Sequence, residues 1–284
     1  MEIIVGKYAG FCNGAKNAVV KTNEALNSGG LYSVGEIIHN EEVVKYLKER
    51  GLMVKDSIND IPNNSKVIIR AHGEGIKFYQ EAKKKQLDIV DLTCGRVKMV
   101  HNKILSKKNY YVIIIGKKNH PETIAHQSYS DTCSVIEDFS DIEKAYNNYL
   151  TSGKDKVYVV AQTTFNSELF NKIIDKIKEL FKNIEVDNTI CNATNMRQME
   201  AREIASKVDK MIVIGGKNSS NTRELAVEAG KCCNTVYLIQ TKRDLNTEMF
   251  NKDDIVGITA GASTPDESIN EVVTYLESIY NKSK

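Results

Sequence analysis

The chain has 284 residues, 41% of them hydrophobic and 27% charged, with 39 basic residues against 37 acidic ones for a net charge of +2. This is the profile of an ordinary soluble globular chain with room for two or three small domains. The near-balance of charge, carried on the basic side mostly by Lys, excludes a nucleic-acid-binding stripe and with it a nucleic-acid partner.

The opening MEIIVGKYAGFC has a four-residue apolar start and an early Glu2, which matches neither a secretory leader nor a membrane span. The expectation is a cytoplasmic protein without a membrane partner. In a reducing compartment the six cysteines, Cys12, Cys94, Cys133, Cys191, Cys232 and Cys233, are not expected to form disulfides. Each is an inert small apolar side chain, a reactive thiol or a metal ligand.

Short β-branched runs follow one another along the chain: EIIV, KVIIRA, DIVDLT, YYVIIIG, KVYVVAQ, KMIVIGG, TVYLIQ and DIVGITAG, with CSVIED a further candidate strand. Between them lie segments with helical spacing of apolar residues, such as SELFNKIIDKIKELF and ESINEVVTYLESIY. Strands apolar throughout that alternate with helices predict the α/β class, with parallel sheets covered on both faces. No linker divides the chain, and the βα pattern suggests three α/β blocks: residues 1–96, 97–190 and 191–284.

Polar residues follow the strands. AHGE follows VIIR, KKNHPE follows VIIIG, QTTF follows VYVVA, KNSSN follows MIVIGG and GAST follows IVGITA. Ligands of open α/β sheets bind beyond the carboxyl ends of strands, so these loops read as one polar site. TPDE from Thr264 reads as a capping box, and NTRE from Asn221 has the same offset. A helix start with hydroxyls beside it seats anions. The nucleotide signatures GxxxxGK[ST] and GxGxxG are absent, so a phosphate or diphosphate held by Ser, Asn and His is the expectation.

Cys232 and Cys233 precede a strand and Cys133 opens one, and all three read as buried small apolar side chains. Cys12 in GFCNG, Cys94 in LTCG and Cys191 in TICNAT sit instead at strand ends before helices, like the polar loops. Zinc with a fourth His ligand is one reading of this trio, although structural zinc usually comes with close CxxC pairs. Three thiolates on a [4Fe-4S] cubane, leaving one iron open to substrate oxygen, is the other.

GFCNG, GEIIHN, RAHGE, LTCG, NHPE, QTT, NTICNAT, KNSSNT and ITAGAST resemble, in order and spacing, the motifs of the 4-hydroxy-3-methylbut-2-enyl diphosphate reductases, the LytB/IspH family. The resemblance spans essentially the whole chain. It implies a trefoil of three small α/β domains with pseudo-threefold symmetry around one central [4Fe-4S] cluster, held by Cys12, Cys94 and Cys191 with one iron open. It also implies reductive dehydroxylation of the allylic diphosphate to isopentenyl and dimethylallyl diphosphate, the last step of the methylerythritol phosphate pathway.

His39, His72, Ser219, Ser220, Asn221 and Ser263 match the family's diphosphate pocket. His120, Glu122 and Thr163 match the group that orients substrate and moves protons. The electron donor implied is ferredoxin or flavodoxin, and a monomer or weak homodimer is expected. Read on its own, Glu122 is equally a first-turn carboxylate after Pro121, and it donates a proton only if its pocket is dry enough to hold it protonated. Thr163 and Thr164 read as caps for the next helix, and His101 and His126 carry no functional signal. Asn17, Arg70, Gly95, Arg96 and Ala125 depart from the family pattern.

Overall fold

The computed structural model describes residues 1–281. The chain forms β1 (Glu2–Val5), α1 (Asn13–Leu26), β2 (Leu31–Val34), α2 (Glu41–Glu49), β3 (Leu52–Lys55), β4 (Lys66–Ile69), α3 (Ile76–Lys84) and β5 (Asp88–Asp91). It continues through α4 (Gly95–Ser106), β6 (Tyr110–Ile115), α5 (Pro121–Gln127), β7 (Cys133–Ile136), α6 (Ile142–Thr151), β8 (Lys156–Ala161), α7 (Ser167–Leu180) and β9 (Ile184–Val186). The remainder is α8 (Asn192–Ala205), β10 (Lys210–Ile214), α9 (Ser220–Gly230), β11 (Val236–Ile239), β12 (Ile255–Ala260) and α10 (Asp266–Asn281).

Every strand pairing among the described residues is parallel, and the strands make three four-stranded sheets, β3-β2-β4-β5, β7-β6-β8-β9 and β11-β10-β12-β1. The three orders are the same wiring used three times. The α/β class with parallel sheets holds.

The apolar runs are continuous because both faces of each sheet are covered. In β6, Val112 and Ile114 pack with Val100 and Ile104 of α4, whereas Ile113 and Ile115 pack with Ile142 of α6 and Phe170, Ile173 and Ile177 of α7. In β10, Met211 and Val213 meet Ala201 of α8 and Leu225 of α9, and Ile212 and Ile214 meet Ile269, Val272 and Leu276 of α10. Successive strand residues point to opposite faces, so an unbroken apolar run serves two helical layers.

By backbone contacts the chain divides into two units. One holds residues 1–16 and 39–45 and the chain from Asn192 onward, and contains the β11-β10-β12-β1 sheet; the other holds residues 17–38 and 46–191 and contains the other two sheets.

The expected blocks are corrected at the first. β1 pairs with β12 through Glu2↔Ile255 to Val5↔Ile258, so the N-terminal strand completes the sheet of the C-terminal segment by covering the edge of β12. The division at residue 96 also falls inside α4. Every expected strand is present, while β2, β3 and β9 are additional. Their sequences LYSV, LMVK and IEV are short and mixed, and β3 and β9 lie at sheet edges where one ladder suffices.

Two expected helix starts also move. Ser219 caps α9, its side chain accepting from Thr222 N–H, so Asn221 lies inside the first turn. Thr264 forms no capping box; its hydroxyl donates to the Ile214 carbonyl at 3.0 Å and ties the loop after β12 to β10. Among the described residues no helix is long and apolar enough to cross a membrane.

Candidate active site: strand-end cysteines and a buried carboxylate

Cys12, Cys94 and Cys191 occupy the same place in the three sheets. Each follows an edge strand, β1, β5 or β9, and immediately precedes a helix, α1, α4 or α8. Cys94 N–H donates to the Ala71 carbonyl at 3.0 Å, Cys191 N–H to Thr163 at 2.9 Å and Cys12 N–H to Ala262 at 3.0 Å. Each acceptor lies two positions past the end of the neighbouring strand, β4, β8 or β12. All three side chains are half-buried. Cys94 is the N-cap of α4, and Cys12 Sγ accepts from Ala15 N–H at 3.4 Å, so these sulfurs sit where unpaired helix N–H groups favour an anionic ligand. The turn before Cys12 needs Gly10, whose φ is +94° and where a Cβ would lie 3.0 Å from Asp266 Oδ1 and Ile269 Cδ1.

The other cysteines differ. Cys133 lies in β7 with burial pushing its thiol up, and Cys233 is buried with its sulfur 3.3 Å from the Thr235 carbonyl. Cys232, expected to be buried, is exposed, because the turn after α9 directs only one of two adjacent side chains inward.

Glu122 lies in the first turn of α5, with Pro121 as the first helical residue and His120 as N-cap. Its carboxylate is 2% exposed and is held from both sides: Thr163 N–H donates to Oε1 at 2.6 Å and Thr163 Oγ1–H to Oε2 at 2.8 Å. His126 Nε2 stands 3.3 Å from Oε1, close enough for charge attraction but without hydrogen-bond geometry. Burial alone would push the acid up; His126, His120 and the Thr163 N–H outweigh it and hold Glu122 below its ordinary value. Glu122 is buried, yet its surroundings favour the carboxylate rather than the neutral acid. Thr163 does not cap α7, a task performed by Asn166 through Leu169 N–H, and Thr164 accepts from Gln162 Nε2.

His120 Nδ1 accepts from Glu122 N–H at 3.1 Å, which leaves the proton of the neutral ring on Nε2. Burial, partly opposed by the Glu122 charge, brings His120 down to about 4. The His72 ring meets it edge-on at 5.3 Å. Beside His72, Gly73 has φ +77° and a Cβ there would lie 2.8 Å from His101 Cε1, so only glycine lets this loop close over His101. Arg70, a departure from the family pattern, pairs with Glu74 at 3.1 Å and packs over Gly35.

The second polar group lies in the unit that holds β10. Ser219 caps α9, Ser220 and Asn221 are buried in its first turn, and Ser263 Oγ donates to the His39 carbonyl at 3.0 Å. Asn40 Nδ2 donates to the Ser263 carbonyl at 2.9 Å while its Oδ1 accepts from Val43 N–H, fixing the His39 loop against GAST. Ser220 Oγ and both amide atoms of Asn221 have no protein partner among the described residues, a costly state unless a polar ligand meets them.

Arg197 was not anticipated. It is 5% exposed and its guanidinium donates to the Gly10 carbonyl at 2.7 Å and the Ala193 carbonyl at 2.8 Å, tying the Cys12 turn to the start of α8. An Arg inside a helical run of polar residues carries no sequence signal that separates this brace from a solvated side chain.

These features define the class: a parallel α/β protein built from three like-wired sheets, each with a half-buried cysteine at the same strand end. The family model described as LytB protein matches residues 3–277. The 4-hydroxy-3-methylbut-2-enyl diphosphate reductase of Clostridioides difficile is 40% identical over 98% of this chain and 100% of its own length. That of Aquifex aeolicus is 39% identical over 98% of this chain and 97% of its own. The structure of the E-1-hydroxy-2-methyl-but-2-enyl-4-diphosphate reductase from Plasmodium falciparum superposes with a TM-score of 0.90 at 31% identity, covering 97% of this chain and 87% of that one. The chain belongs to the LytB family.

Proposed function

We propose that this protein is a 4-hydroxy-3-methylbut-2-enyl diphosphate reductase. It removes the allylic hydroxyl as water with two electrons and two protons, yielding isopentenyl and dimethylallyl diphosphate as the last step of the methylerythritol phosphate pathway. The observation that carries this reading is end-to-end similarity to proteins of that name, 40% identity over 98% of the chain for one of them.

One [4Fe-4S] cluster with three cysteine ligands and one open iron suits Cys12, Cys94 and Cys191, half-buried residues that share a position after an edge strand and directly before a helix, which Cys133, Cys232 and Cys233 lack. When bound, the cluster would supply one-electron reduction and Lewis acidity. The cysteines are the ligands, and Arg197 braces the turn that carries the first.

The diphosphate is held by His39, His72, Ser219, Ser220, Asn221 and Ser263. Ser220 and Asn221 bring buried polar atoms without protein partners, and the α9 amino end adds N–H groups that favour anions. Glu122 moves protons, with Thr163 bonded to both its oxygens and neutral His120 presenting Nε2–H as a donor that orients substrate. Electrons come from ferredoxin or flavodoxin, and the protein works in the cytoplasm as a monomer or weak homodimer.

The test is anaerobic reconstitution with iron and sulfide, metal and sulfide analysis, then a reduction assay with the allylic diphosphate and an artificial reductant. A brown protein that releases both products is expected. A colourless, zinc-loaded protein, or a brown one inert toward the diphosphate, would overturn the reading.

A further inference from the structure

The segment leading to Cys12 is longer than the ladder beside it. Between parallel neighbours, donors and acceptors advance together, two residues at a time. After β5, Leu92 N–H donates to the Ile69 carbonyl and Cys94 N–H to Ala71; after β9, Asp187 N–H donates to Val159 and Cys191 N–H to Thr163. Within each of these two segments the offset between donor and acceptor stays the same. After β1 it does not. Gly6 N–H donates to Ile258, but Gly10 N–H donates to Ala260 and Cys12 N–H to Ala262. Four steps along this segment thus match two along β12, and two residues are surplus.

Helix α8 takes up the surplus. Glu200 Oε1 accepts Lys7 N–H at 2.7 Å and Oε2 accepts Tyr8 N–H at 2.9 Å, so both carboxylate oxygens are used on adjacent amides. Arg197, one turn earlier on the same helix face, donates to the Gly10 carbonyl at 2.7 Å. One face of α8 therefore holds the excursion at both ends. Position 6 must be glycine for this approach, because a Cβ there would lie 2.6 Å from Glu200 Oε2.

We propose that Glu200 is a positioning residue that sets the register of Cys12. By drawing the Lys7 and Tyr8 amides away from β12, it puts Cys12 rather than Gly10 opposite Ala262. Cys94 and Cys191 reach the equivalent place, two positions past the neighbouring strand, by an unbroken ladder. Without the carboxylate, Tyr8 N–H continues the ladder to Ala260 and Gly10 N–H to Ala262. Cys12 is then carried two residues onward, ~6–7 Å along the strand direction. The inference rests on the reading of Cys12 as a cluster ligand.

The test uses the full-length chain after anaerobic reconstitution, as wild type, as Glu200→Met, and as Glu200→Met with Lys7 and Tyr8 deleted. Methionine keeps the side-chain length and removes both carboxylate acceptors. In Glu200→Met, iron content should fall about threefold or more, and hydrogen exchange at the Lys7 amide should quicken by about tenfold or more. Deleting the two surplus residues should return iron content to near the wild-type value. A merely structural role for Glu200 would not give that recovery.

Wild-type iron content and Lys7 exchange in Glu200→Met overturn the proposal, as does a folded deletion variant that recovers no iron. If Glu200→Met does not fold, Gly6→Ala displaces the carboxylate with every charge kept, and unchanged iron content and exchange in that variant overturn the proposal equally. Wild-type protein that takes up no iron sinks the ligand reading of Cys12, while Lys7 exchange still decides whether Glu200 holds the surplus residues off the ladder.

Discussion

Thr163 closes both oxygens of Glu122, its backbone N–H at 2.6 Å from Oε1 and its hydroxyl at 2.8 Å from Oε2, while its own carbonyl accepts the N–H of Cys191. One residue after β8 thus links the proposed proton carrier to a proposed cluster ligand. Thr163→Val keeps the backbone bonds and the volume but removes the hydroxyl. We expect a loss of stability of ~1.5–3 kcal/mol, since the missing bond serves a charged and buried acceptor. Its kcat should fall by about 10²-fold. Urea unfolding and steady-state reduction check both, and a fully active variant would remove Thr163 from the proton path.

Glu122→Gln preserves shape while removing the acid. The variant should keep its iron and still bind the diphosphate, but lose nearly all reduction, a drop of about 10²–10⁴-fold. Normal turnover in that variant would exclude Glu122 as the proton source.

Acid should destabilise the fold through His101. Its folded value, lowered to about 3 by burial and then by His126, lies below the ordinary 6.5. Between those values the unfolded chain binds a proton that the folded chain does not, so stability is complete above about pH 6.5 and falls as pH drops toward 3, by ~1.4 kcal/mol per pH unit for one such group. His120, lowered to about 4, adds in the same direction. Glu122, held below its ordinary value, contributes stability that is lost only at lower pH, below 4.5. His101→Phe, which retains the stack on Tyr129, should flatten the slope between pH 6.5 and 5 in urea titrations; an unaltered slope would mean that His101 is protonated in the folded state.

The cysteines separate by position. Cys94→Ser should abolish most of the iron content after reconstitution, whereas Cys133→Ser, at the start of β7, should leave it unchanged. Arg197→Met should fall between them, because the Cys12 turn loses its donor to Gly10 while the ligands remain. Iron and sulfide analysis distinguishes the three, and equal loading of Cys94→Ser and wild type would remove Cys94 from the ligand set.

The sequence by itself determined the α/β class, because unbroken apolar runs such as YYVIII are stable only when helices cover both faces of a parallel strand. It also marked Cys12, Cys94 and Cys191 and the hydroxyl-rich loops, since residues at strand ends are placed by local order alone. It did not reveal that β1 closes the sheet of β10 to β12, because strand pairing depends on which edge is free rather than on any pattern within EIIV. Nor did it reveal that Thr163 clamps Glu122, that Arg197 braces the Cys12 turn, or that His126 faces the carboxylate. These are contacts between side chains and backbone groups brought together by packing, and for a buried His or Arg the deciding quantity is the identity of the neighbour, which only the tertiary structure supplies.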